Sequence, residues 1–241
     1  MKKEKYIFTY DMLFMNVVAF LLIGVMVLVS FIIFGIFDIE LNISLDFSSG
    51  KYFVNMFSVF ILIFLWMVLH EIIHGTFYIL NGADRKNIFY GAALEKGIFY
   101  CKCGEFVTKK NIMISVIAPF VLIGVVTYIL GIIINSPLLI ILSVFNISGA
   151  AGDLTMFCFF LKRHNDIRFK EIGDSSTFCL ETSEDFSNKK FLGVKLLKKV
   201  TDKHEIEEQC DKKVTITKGS WVFIIFMGII LVLNLLIILF I

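Results

Sequence analysis

Five long apolar stretches limit what this chain can fold into: Met12–Phe37, Tyr52–Leu80, Ile112–Ile134, Leu138–Leu161 and Trp221–Ile241. Each is long enough to cross a hydrocarbon core of about 30 Å at about 1.5 Å per helical residue. A water-soluble domain cannot hide that much apolar length. Hydrophobic residues are 58% of the 241, charged residues 18%, and mean hydropathy is +0.85, so lipid is the expected solvent for most of the chain. The expected fold class is an all-α polytopic membrane protein of about five transmembrane helices, and 27 Phe with two Pro fit long apolar helices. The first stretch follows Met1–Asp11, shows no small-residue cleavage site and is too long for a signal-peptide core, so it reads as a retained anchor. A net charge of +2 supplies no basic face for nucleic acid. Five Cys, with only Cys101 and Cys103 close together, do not make a secreted disulfide framework.

The charge pattern orients the spans. Of 23 basic residues, three precede the first stretch, six lie between Asn81 and Asn111 and thirteen lie between Lys162 and Gly219. Those segments fall on one side if five spans are crossed in turn, and the positive-inside rule makes that side cytoplasmic. The N-terminus is then cytoplasmic and the C-terminus outside. The expected organisation is a cytoplasmic N-terminus over 1–11, a four-helix membrane core over 12–161 including the 81–111 loop, a cytoplasmic segment over 162–219 and a last transmembrane helix over 220–241. Within the 81–111 loop, Ile88–Tyr90 and Ile98–Cys101 are β-prone runs around Gly91 and Gly97, which predicts a short membrane-associated β-hairpin. The 162–219 segment predicts a small α+β appendage, with Thr177–Glu181 strand-like and Phe191–Asp202 helix-like.

Ionisable residues inside apolar spans need a reason to be there. The second span carries His70-Glu71-Ile-Ile-His74, an H-E-x-x-H pattern, and the fourth carries Asp153. On a helix, the i and i+4 His project from one face and can share a Zn²⁺, while the Glu between them acts as general base toward the attacking water. A catalytic zinc takes three protein ligands, so two His require a partner. His70, His74 and Asp153 all lie roughly 10–16 Å from the cytoplasmic helix ends at about 1.5 Å per residue, a common depth that coordination demands. Pro119 in the third span sits at a similar level, where its missing N–H kinks the helix and frees a carbonyl. Asn146, two turns before Asp153, is the other polar candidate: its amide can hold a substrate backbone or an oxyanion, or simply bond helices together. His164, Glu95 and Glu105 remain further candidates for third ligand, His204 in the cytoplasmic segment reads as a solvated residue, and a polar cluster that only joins helices remains the alternative to a metal.

H-E-x-x-H in one transmembrane helix, Pro near the middle of the next, then Asn and Gly-Asp in a further one resembles the site-2 protease class of intramembrane zinc metalloproteases. The resemblance is closer still to the bacterial membrane family of zincin peptidases. It covers roughly Phe53–Glu181 and rests on His70, Glu71, His74, Pro119, Asn146, Gly152 and Asp153. Unlike the Asn-Pro-x-x-Asp-Gly setting usual in the site-2 class, no Pro precedes Asp153 and Leu154 follows it. The resemblance implies Asp153 as third zinc ligand and a hairpin over Ile88–Cys103 that dips toward the site and pairs with an extended substrate.

The reading is a zinc-dependent endopeptidase, a hydrolase with Glu71 and Asn146 catalytic and His70, His74 and Asp153 holding Zn²⁺. Its expected partners are the bilayer and a transmembrane or juxtamembrane protein or peptide, cleaved near the cytoplasmic face. The competing reading is a non-enzymatic membrane protein that binds or moves a divalent cation with the same side chains.

Overall fold

The computed structural model describes residues 3–37, 50–93, 98–172, 177–187 and 190–200. It begins with a strand, β1 (Glu4–Tyr10), which runs directly into α1 (Met12–Phe37). Then come α2 (Gly50–Leu80), the hairpin strands β2 (Ile88–Ala93) and β3 (Ile98–Cys103), the short β4 (Val107–Thr108) and α3 (Lys109–Pro119). A π-helical turn over Phe120–Val125 leads into α4 (Val126–Ile133), followed by α5 (Pro137–Gly149) and α6 (Ala151–Leu161). Three further strands close the described chain: β5 (Arg168–Ile172), β6 (Thr177–Thr182) and β7 (Val194–Val200).

Among the described residues, three helices are long and apolar enough to cross a membrane: Met12–Phe37, Phe57–Leu80 and the continuous Lys109–Ile133. The pair α5 and α6, bent by 49° at Ala150, makes a fourth if counted as one span. The stretch Trp221–Ile241 lies outside the described residues. Leu13, Phe20, Phe31 and Ile36 on α1 are mostly exposed, which suits an apolar surround.

The all-α expectation is overturned. A five-stranded antiparallel sheet in the order β4-β5-β6-β1-β7 stands at one end of the helices, beside the separate β2-β3 hairpin. Connectivity explains why every strand collects there: β1 precedes the start of α1, β2 to β4 join the end of α2 to the start of α3, and β5 to β7 follow the end of α6. Residues of the N-terminal segment thus form a central strand of a sheet whose other strands come from far along the chain. Lys5 pairs with Glu181 on one side and Val200 on the other. The region expected to be helical, Phe191–Asp202, contributes β7. Its Lys-rich sequence tolerates a helix in isolation, and pairing with β1 overrides that weak preference.

Aromatic packing fastens the sheet to the helices. Phe8 stacks on Phe178 at 5.6 Å and meets Phe159 edge-on at 5.8 Å, and Phe160 meets Phe169 at 5.8 Å. Phe159 and Phe160 end α6, so this cluster holds the β5–β6–β1 face against the helix that carries Asp153. Arg163 lies among the rings of Phe159, Phe186 and Phe191, 4.8 Å from the last, and pairs with Glu184 at 2.8 Å.

Candidate metal centre

His70 and His74 project from one face of α2, and both are buried. Their Nε2 atoms are 3.0 Å apart. Asp153, in the first turn of α6 just beyond the bend, brings Oδ2 to 3.0 Å from His70 Nε2 and Oδ1 to 3.4 Å from His74 Nε2. Glu71 belongs to the same group: ligand atoms of His70, Glu71 and His74 all lie within 4.8 Å of one another.

The far side of each imidazole fixes its tautomer. His74 Nδ1 is 2.8 Å from the Ser115 carbonyl, which can only accept, so Nδ1 carries the proton. The sequence explains why that carbonyl is available. Ser115 precedes Pro119 by four residues, and the N–H that would normally cap its carbonyl in an α-helix is the one proline lacks. Asn146 does the same for His70. Its Nδ2 donates to the Pro119 carbonyl at 3.2 Å, which turns Oδ1 toward His70 Nδ1 at 2.8 Å. Gly124, in the π-helical turn, makes room for that amide: a Cβ there would stand 3.2 Å from Asn146 Nδ2. Asn111 holds the register between helices by donating to the carbonyls of Tyr78 and Asn81 and accepting from Ser115 Oγ.

Both Nε2 atoms therefore point lone pairs into one space that Asp153 also enters. A single shared proton satisfies one of the three close contacts, whereas a cation at their centre satisfies all three. The donor set fits zinc: a tetrahedron with bonds near 2.0–2.1 Å has edges of about 3.3 Å, and the observed separations are 3.0, 3.0 and 3.4 Å.

A cavity of about 410 Å³ opens from this cluster. Met67 and Phe145 line it near the His residues, Met12, Met15 and Asn16 of α1 form another wall, and Tyr10, Lys102 and Glu171 line it toward the strands. Gly152 also lines it, with Met15 Sδ 3.6 Å from where a Cβ would be. The hairpin lies beside α2, with Cys101 next to Glu71. Because Gly104 N donates to Asn87 O, the ladder alternates so that Phe99, Cys101 and Cys103 turn their backbone groups away from β2.

Other sequence candidates stand elsewhere. Glu105 accepts from Asp84 N and Asn87 Nδ2 at the base of the hairpin, and His164 uses its backbone N–H on Glu184. Glu95 and His204 lie outside the described residues. Cys101 and Cys103 are free, buried thiols, with Cys103 Sγ 3.7 Å from Glu105 O. Sequence reasoning missed Ser115, Lys102, Glu171 and the α1 wall. Only Ser115 had a signal, four residues before Pro119.

Fold and site together define a helical bundle whose H-E-x-x-H helix and a neighbouring Asp converge on one point above an open cavity. Residues 63–168 match the model of a family described as "Putative zincin peptidase". That match supports a zincin-like peptidase family for this part of the chain and, with it, a metallopeptidase that uses zinc. No curated protein and no solved structure matches the chain.

Proposed function

We propose that the protein is a membrane-embedded zinc endopeptidase of the site-2 protease type, hydrolysing peptide bonds of a membrane-associated protein or peptide near the cytoplasmic face of a bacterial membrane. The observation that carries this reading is the approach of His70 Nε2, His74 Nε2 and the Asp153 carboxylate to within 3.4 Å of one another across two helices. Those three hold the metal. Zinc, when bound, acidifies a water molecule into the neutral range and polarises a carbonyl. A Glu71 carboxylate oxygen takes the proton of the attacking water and returns it to the leaving amine. Asn146 acts through His70, because both ends of its amide are engaged by protein.

Peptide bonds in an intact helix are shielded by their own hydrogen bonds. The outward edge of β3, beside Glu71, offers backbone partners to an unwound substrate strand. In this orientation the strands face the cytoplasm, where the basic residues collect.

Glu71→Gln separates hydrolysis from metal binding. It should abolish cleavage while zinc content, read by metal analysis of detergent-purified protein, stays near one per chain. Asp153→Ala should lose the zinc itself. Cleavage that survives Glu71→Gln removes the peptidase reading, and a cation-binding or transporting membrane protein would then take its place.

A further inference from the structure

The cavity that begins at the His–Asp cluster ends on a carboxylate that the hydrolytic chemistry does not use. Glu171, on β5, accepts from Cys103 N at 2.9 Å. Its other oxygen has no hydrogen-bond partner among the described residues, and the side chain lines the cavity. Cys103 is the last residue of β3, two residues beyond Cys101, which lies next to Glu71. Two residues along a strand is about 7 Å. A peptide extended along β3 past Glu71 therefore meets Glu171 where the strand ends.

Burial pushes the Glu171 carboxyl up to about 7, against the opposing pull of Lys102 and the Cys103 amide. Lys102 lies over the Tyr100 ring, 4.7 Å from its centre. A carboxylate desolvated in this way gains from a cation brought by a ligand. Between the two ends the wall carries Met12, Met15, Met67, Met156, Phe99 and Phe145, with Lys102 beside Glu171, so away from Glu71 and Asp153 the lining offers an incoming cation this carboxylate.

We propose, resting on the peptidase reading above, that Glu171 is a specificity-determining residue that receives a cationic nitrogen of the peptide about two residues from the bond facing Glu71. The nitrogen is a Lys or Arg side chain or a free amino terminus. Glu171 also ends the pairing edge, so it sets how far the peptide extends on that side.

The test uses full-length, zinc-loaded protein carrying Glu71→Gln in detergent micelles, so that binding is read without turnover. The probes are apolar octapeptides labelled at the C-terminus: one blocked series with a single Lys moved through each position, and one Lys-free peptide with a free amino terminus. One Lys position should tighten binding roughly tenfold, the scale of one charge-assisted hydrogen bond. Gain from the free amino terminus alone assigns the terminus as source. Adding Glu171→Gln, which keeps an acceptor for Cys103 N, should erase either gain, and Glu171→Lys should transfer the preference to a Glu-containing peptide. Affinity that ignores charge at every position and at the terminus, or a gain that survives both variants, overturns the inference. Peptides that bind with the expected preference but are not cut by the wild type remove the peptidase reading and leave the subsite standing.

Discussion

Asn146 donates to the Pro119 carbonyl and accepts from His70 Nδ1, so its amide orients a proposed zinc ligand. Loss of such an orienting partner costs metal affinity rather than the site itself. Asn146→Ala should weaken zinc binding roughly 10–100-fold in a chelator competition, with the helices intact by circular dichroism. A substrate-contacting amide would instead leave zinc affinity unchanged and raise KM. The motif residues were legible because H-E-x-x-H and an acid are conspicuous in apolar helices. The orienting contacts were not, since Asn146 carries the same letter whether it faces a peptide or an imidazole.

At the scale of elements, the proline in the Lys109–Ile133 span does two things. It removes one rung of the helix ladder and hands the freed Ser115 carbonyl to His74. Pro119→Ala should therefore firm up the helix while weakening zinc binding by roughly 10–100-fold, because the restored N–H competes with His74 for the same oxygen. Melting temperature and zinc affinity moving in opposite directions would confirm this, and movement together would refute it. The junction between α6 and the sheet depends on Arg163, whose side chain is 16% exposed and pairs with Glu184 at 7%. Removing one member of a buried ion pair costs about 3–5 kcal/mol. Arg163→Met should lower the unfolding temperature by several degrees, and an unchanged melt would show that the aromatic cluster alone holds the sheet. Neither junction was visible beforehand. Phe159 read as part of an apolar span and Phe178 as part of a strand-like run, and only folding shows that both, with Phe186, meet around Phe8.

For the whole molecule, the sheet end and the helical end share one cavity, so a charge on a strand is felt in the site. The Glu171 carboxyl titrates near 7 in the fold, above its ordinary 4.5, because burial disfavours its charge. The protonated form is thus the one the fold favours. Its contribution to stability is full below about pH 4.5 and is lost as pH rises through about 7. Glu171→Gln, which mimics the protonated group, should gain stability relative to wild type between about pH 5 and about pH 8, read as a widening gap in melting temperature. A constant gap would mean that Glu171 is not desolvated as described.

Length, hydropathy and the spacing of a few ionisable residues were enough, by themselves, to give the long apolar helices among the described residues, the hairpin at 88–103 and the candidate ligands. Those signals are local: a helix period, a turn, a charge out of place. Tertiary structure alone decided that Glu4–Tyr10 is a central strand, that Val194–Val200 is a strand rather than a helix, and that Glu171 faces the cavity. A strand satisfies its backbone only through partners that here lie at least 168 residues away in sequence, Thr9 against Thr177 being the nearest pair, and no local pattern records which partner arrives.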